Sequence, residues 1–120
     1  RWNEDFVHYN TFQYYNMVTN TSGTISLTNA PSPRRAGVLY DIGDPNYLYL
    51  YGGSTNSVEF KELWKLPKAG GACTLISNSS SLPTHTSTGG GCFYNNKLYY
   101  FGGYSYHPLN TYSNKTWTIT

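Results

Sequence analysis

A chain of 120 residues with 12% charged residues and a formal net charge of +2 has room for one modest core and no concentrated basic surface, which sets nucleic acid aside as a partner. Tyr alone supplies 13 residues and aromatics reach 18%, alongside 12 Gly and 6 Pro, a mixture that points to many short strands joined by turns. The longest uncharged apolar runs, such as Tyr47 to Tyr51, are far shorter than the ~18 residues of a membrane-spanning helix, so membrane insertion is not expected.

Taken in chain order, the first recognisable stretch is Tyr14 to Asn20, a tyrosine-rich segment ending in a turn. Val38 to Tyr40 reads as an inner strand, Asp41 to Asn46 as a turn, and Tyr47 to Tyr51 as a second strand. Leu63 to Leu66 follows as a third strand and Cys73 to Ile76 as a fourth. The pattern restarts with Cys92 to Tyr94, a tight Asn95-Asn96 turn that exploits the tolerance of Asn for positive φ, and Leu98 to Phe101. A strand near Tyr112 and a last one at Trp117 to Ile119 are expected as the third and fourth members of this second set.

The two sets are copies of one unit. Leu48-Tyr49-Leu50-Tyr51-Gly52-Gly53 recurs fifty residues later as Leu98-Tyr99-Tyr100-Phe101-Gly102-Gly103, and Pro33 recurs as Pro83 at the same spacing. A looser echo joins Tyr14 to Asn20 with the Asn110 to Trp117 stretch, which makes the N-terminal segment the outer half of an earlier unit. Within the strand Tyr47 to Tyr51 large side chains occupy both faces, so the strand is covered from two sides. Sheets stacked face to face in succession provide that environment.

A Leu-Tyr-aromatic-aromatic-Gly-Gly strand, the Pro33-Arg34 pair before an inner strand, and a Trp in an outer strand, recurring near every fifty residues, resemble the kelch repeat. The resemblance spans about Phe12 to Thr120 and implies an all-β fold, a kelch-type β-propeller segment of about two and a half four-stranded antiparallel blades forming an incomplete ring. On this division 1–36 holds the outer strands of a preceding blade and an inter-blade loop, 37–82 a full blade and 83–120 a second, all within one propeller domain. Two departures stand out: Trp64 falls in a third strand whereas Trp117 is expected in a fourth, and His85 stands at the offset of Arg35. Two and a half blades do not close a ring, so further blades are expected from covalent sequence beyond these residues or from assembly of copies, and Arg1 in place of an initiator Met fits a chain processed or excised from something longer.

No reaction chemistry is visible. His8, His85 and His107 are widely separated and lack zinc-ligand spacing, and Glu4, Asp5, Asp41, Asp44, Glu59 and Glu62 fall at turns and strand margins, where solvated charge is expected. Gly89-Gly90-Gly91 leads into a strand, not from a strand into a helix as phosphate loops do. The chain is accordingly read as non-enzymatic, without metal or cofactor.

Antiparallel topology places the loop entering an inner strand and the loop leaving the second strand at one end of a blade. That end collects Arg34, Arg35 and His85 from the entries, and Ser54 to Glu59 with Tyr104, Tyr106 and His107 from the exits. These form the expected binding face, Tyr offering large contact area at little entropic cost, with inter-blade packing as the other use of the same tyrosines and hydrogen bonds to loop carbonyls as the other use of Arg34 and Arg35. The resemblance implies a protein or glycan partner held by such loops.

Cys73 and Cys92 are open to two readings, a disulfide closing a loop of ~20 residues or two buried free thiols. Asn20, Asn78 and Asn114 each head an acceptor sequon, and Asn20 and Asn114 are expected between third and fourth strands, where a glycan would not disturb packing. The reading is a binding or scaffold segment of a larger secreted or cell-surface protein, with a cytoplasmic location as the alternative. A glycosylated subunit of an extracellular filament or coat, built from copies of itself, and an accessory domain of an enzyme are the competing functions.

Overall fold

The computed structural model describes residues 7–106 and 110–119. These form thirteen short strands and, among the described residues, no helix. Phe12–Asn16 (β1) and Thr21–Ile25 (β2) make an antiparallel hairpin, and Leu27–Thr28 (β3) pairs in parallel with Gly71–Ala72 (β7). Val38–Tyr40 (β4), Tyr47–Tyr51 (β5), Leu63–Pro67 (β6) and Thr74–Ser77 (β8) form a four-stranded antiparallel sheet in sequence order. Gly90–Tyr94 (β9), Lys97–Phe101 (β10) and Thr116–Ile119 (β13) form a second antiparallel sheet with β10 in the centre. Tyr104–Ser105 (β11) and Thr111–Tyr112 (β12) close a small ladder beside it.

Register shows how closely the second sheet repeats the first. Leu50 lies opposite Trp64 in the first sheet, and Tyr100 lies opposite Trp117 in the second. Trp117 is thus on a third strand, in the place of Trp64, and the expectation of a fourth strand there is corrected. The strand near Tyr112 pairs with β11 instead of entering the sheet. A three-residue longer connection before β13 hides this equivalence from a fixed spacing of fifty. The hairpin β1–β2 precedes β6 and β8 by about fifty residues and has the same antiparallel form.

The two sheets pack face to face. Because side chains alternate across a strand, one face of the first sheet carries Val38, Tyr40, Tyr49, Tyr51 and Leu63, and meets Phe93, Leu98, Tyr100, Trp117 and Ile119 of the second. Tyr51 and Tyr100 are fully buried and meet edge to face with ring centroids 5.3 Å apart. Their hydroxyls, which would be costly to bury unpaired, donate to the carbonyls of Pro83 and of His85 (2.6 Å). Tyr40 donates to the carbonyl of Tyr99 at 2.8 Å. Its hydroxyl lies over Gly91, where a Cβ would come within 2.5 Å of it.

The outward faces are less complete. On the second sheet Tyr94 is 70% and Phe101 57% exposed. On the first sheet the outward Leu66 is buried and Leu50 half-buried, while Leu39 is 52% exposed.

Candidate functional site

The entry and exit loops of both units meet at one end of the two sheets, and backbone pairing holds them there. Arg35 and Ser54 exchange hydrogen bonds (3.0 and 2.9 Å), as do Ser87 and Tyr104 (3.3 and 2.7 Å). Between units, the amide of Gly53 donates to Thr86 O at 2.9 Å and that of Thr88 to Ala36 O at 3.1 Å. Ser87 Oγ lies 2.5 Å from Ser54 Oγ, with both side chains fully buried. Gly52 permits this close approach: its φ is +76°, and a Cβ would stand 2.6 Å from the Thr86 carbonyl oxygen.

Pairing makes Ser87, not His85, the counterpart of Arg35, since Ser87 bridges Tyr104 as Arg35 bridges Ser54. Counted from Pro33 and Pro83, β9 begins two residues later than β4, and the turn between β9 and β10 is correspondingly shorter. His85 sits in that extra bulge with φ of 61°. Its ring is fixed by Thr84 Oγ1 (2.8 Å) and Thr111 Oγ1 (2.9 Å).

Arg34 is anchored inward. Its side chain is 6% exposed, donates to Ser32 O, Gly52 O and Glu62 Oε1 (2.9, 3.1 and 2.9 Å), and stacks 3.9 Å from the centroid of Phe60. Burial lowers its pKa and the Glu62 carboxylate opposes that shift, so the pair is held as an ion pair. Glu62 also accepts from Trp64 Nε1 at 2.9 Å. Arg34 thus takes the second of its two expected uses, hydrogen bonds to loop carbonyls, whereas the expectation that Glu62 is a solvated charge is corrected, for it is committed to fixing the loop.

Arg35 points to the surface. Its Nη1 lies 2.9 Å from both His8 Nε2 and Asn56 Oδ1, and its guanidinium stands 5.3 Å from the centroid of Tyr106. Glu59, read from sequence as solvated, instead joins the units: it accepts from Ser105 Oγ at 3.1 Å and from the Tyr106 amide. Tyr104 packs against Tyr106 and Tyr112 with centroids 4.6 Å apart in each case, and its hydroxyl donates to Asn110 Oδ1. Tyr106 is 37% and Tyr112 83% exposed. The surface brought together is Arg35, Asn56, Tyr104, Tyr106 and Tyr112, with Glu59 beneath. His107 lies outside the described residues. Asn56 and Glu59 fall within the Ser54 to Glu59 exit loop expected at this end, but their partners lie far along the chain and were not legible, and Tyr112 was hidden by its assignment to a strand of the main sheet.

Cys73 is buried and Cys92 exposed on β9, and both are free thiols, so the disulfide reading is set aside. Burial pushes the Cys73 thiol pKa up, which disfavours its thiolate. Asn20 lies in the exposed β1–β2 turn with φ of 55°, and Asn78 is exposed after β8. Asn114 is exposed too, but precedes the third strand of the second sheet instead of following it. Among the described residues no cluster of three or more His, Cys, Asp or Glu side chains is placed to hold a metal ion.

Compared with known proteins, the chain matches no family model and no curated protein.

Proposed function

We propose that this chain is a segment of a kelch-like β-propeller that binds a partner, without catalysing a reaction, through the loop face carrying Arg35, Asn56, Tyr104, Tyr106 and Tyr112. The observation that carries the reading is the lacing of successive units at one end: Gly53 to Thr86, Thr88 to Ala36, and Glu59 to Ser105 and Tyr106 fix the loops of two units into one surface. Propeller folds arrange successive blades so that such loops share a face. Three tyrosines around one arginine supply rigid amphipathic area with few rotamers to lose, the composition of binding hot spots. A glycan or a loop of another protein fits this mixture of ring faces and hydrogen-bonding groups. The three exposed sequons fit a secreted or cell-surface protein.

Binding of the whole chain to glycan arrays and to panels of secreted ectodomains, compared with the Arg35→Ala/Tyr106→Ala double variant, tests the proposal. A ligand bound by the parent and lost from a folded double variant supports it. Ligands retained at full strength by the variant place recognition elsewhere.

The outward aromatic face of the second sheet favours one other reading, a structural subunit stacking on its own copies. Light scattering over a concentration series separates the two, since a filament former grows with concentration and a discrete binder does not.

A further inference from the structure

The tyrosines of this chain differ in what stands beside their rings. Tyr9, Tyr14, Tyr15 and Tyr94 are exposed, and among the described residues none of them touches another tyrosine ring. Tyr51 and Tyr100 touch each other but are fully buried, closed to any reagent of protein size. Tyr106 and Tyr112 are exposed, and both stand against Tyr104 with centroids 4.6 Å apart.

The contact with Tyr112 is set by strand pairing. Tyr104 on β11 lies directly opposite Tyr112 on β12, with Ser105 opposite Thr111 as the next rung. Side chains directly opposed on an antiparallel ladder start from Cβ atoms ~5 Å apart, so their rings meet without backbone movement. The Tyr104 hydroxyl donates to Asn110 Oδ1, which holds that ring in one orientation.

We propose that Tyr104 and Tyr112 form an oxidative cross-linking site, joined as dityrosine through their ring ortho carbons by a haem peroxidase with hydrogen peroxide. Each phenol gives up one electron and its hydroxyl proton. The two phenoxyl radicals form one carbon–carbon bond between Cε atoms, and the hydrogen on each bonded carbon moves to oxygen as a proton, restoring both phenols. Hydrogen peroxide takes up the two electrons and two protons and leaves as two waters, so the chain becomes lighter by two hydrogens. Tyr112 is 83% exposed and meets the oxidant directly. Its partner is already in contact, an effective concentration far above that of any tyrosine on another chain. Tyr106, the other neighbour of Tyr104, is 37% exposed and has the Arg35 guanidinium 5.3 Å from its ring centroid, a positive charge that opposes loss of an electron. The bond closes the chain between Tyr104 and Tyr112 and fixes Tyr112 on the loop face.

The whole chain at micromolar concentration is treated with a haem peroxidase and hydrogen peroxide, and the monomer is followed by dityrosine fluorescence and mass. A monomer lighter by two hydrogens, in a yield unchanged over a dilution series, is the expected result. Both residues lie in the tryptic peptide 98–115, whose tandem mass spectrum then lacks every fragment from cleavage between Tyr104 and Tyr112. Tyr112→Phe and Tyr104→Phe, which keep the rings, abolish the product, and Tyr94→Phe leaves it unchanged. A synthetic peptide of residues 98–115, without the packed sheets, gives at least about tenfold less of it. Cross-linked oligomers without the lighter monomer overturn the proposal, as does a bond mapped to Tyr106, a Tyr112→Phe chain with undiminished yield, or a peptide that matches the chain. Partner binding by the loop face is measured on the unoxidised chain, so either reading fails without the other.

Discussion

The hydroxyl of Tyr40 on β4 donates to the backbone carbonyl of Tyr99 on β10, fifty-nine residues later, across the interface of the two sheets. One ring thus fills the space left by Gly91 and satisfies its own polar end within the partner sheet. Tyr40→Phe keeps the ring and removes the bond, and is expected to cost about 1 kcal/mol. Tyr40→Ala also opens a cavity and is expected to cost ~3–5 kcal/mol, enough to unfold much of a marginal domain. Urea denaturation of the two variants reads both values.

Alkaline pH tests the same interface. Burial, with a contribution from neighbouring tyrosines, raises the pKa of Tyr40 and Tyr51, and burial pushes that of Tyr100 up to about 12 from the ordinary 10. Each phenol holds its proton more tightly folded than unfolded, so this stability is complete below about pH 10 and falls as pH rises through the folded values. The chain is expected to unfold cooperatively as pH rises from about 10 to 12, read as loss of circular dichroism. Circular dichroism unchanged above about pH 12 would contradict this.

The loop lacing depends on Gly52 and Gly103, which adopt φ of +76° and +96°. A Cβ at Gly103 would run into the His85 carbonyl oxygen, and one at Gly52 into that of Thr86. Gly52→Ala and Gly103→Ala are each expected to destabilise by more than ~1 kcal/mol, since backbone on both sides has to move. Thermal melts of the two variants check this against Gly43→Ala, where φ is also positive but no atom is near.

Trp64 donates to Glu62, whereas the buried Nε1 of its counterpart Trp117 has no hydrogen-bond partner among the described residues and Lys115 stands at the position of Glu62. Lys115→Gln supplies an acceptor and is expected to stabilise the chain by about 1 kcal/mol. Glu62→Gln weakens the half-buried pair with Arg34 and is expected to destabilise by a similar amount or more.

Strand positions were legible because bulky alternating residues between Gly, Pro and Asn clusters leave few choices: Tyr47 to Tyr51 was placed to the residue and Leu98 to Phe101 to within one. The end of the second unit was not, because a longer connection before Trp117 breaks a fixed period and only pairing with Tyr100 reveals the equivalence. The loop face was legible in outline, since antiparallel alternation dictates which loops share an end. Its particulars were not: Arg34 and Arg35 are adjacent in sequence, yet one is buried against Phe60 and the other reaches Tyr106 at the surface. Alternation of side chains separates them, and long-range contacts decide which way each turns.

The central claim is that two copies of one sheet stack with the inward tyrosines of the first on the matching face of the second. Nuclear Overhauser spectroscopy of the whole chain tests it most directly. Cross-peaks are predicted between the rings of Tyr51 and Tyr100 and from the Tyr40 ring to the Gly91 α-protons. Absence of both, with the Tyr40, Tyr51 and Tyr100 hydroxyl protons exchanging freely with solvent, would contradict the stacking and every assignment built on it.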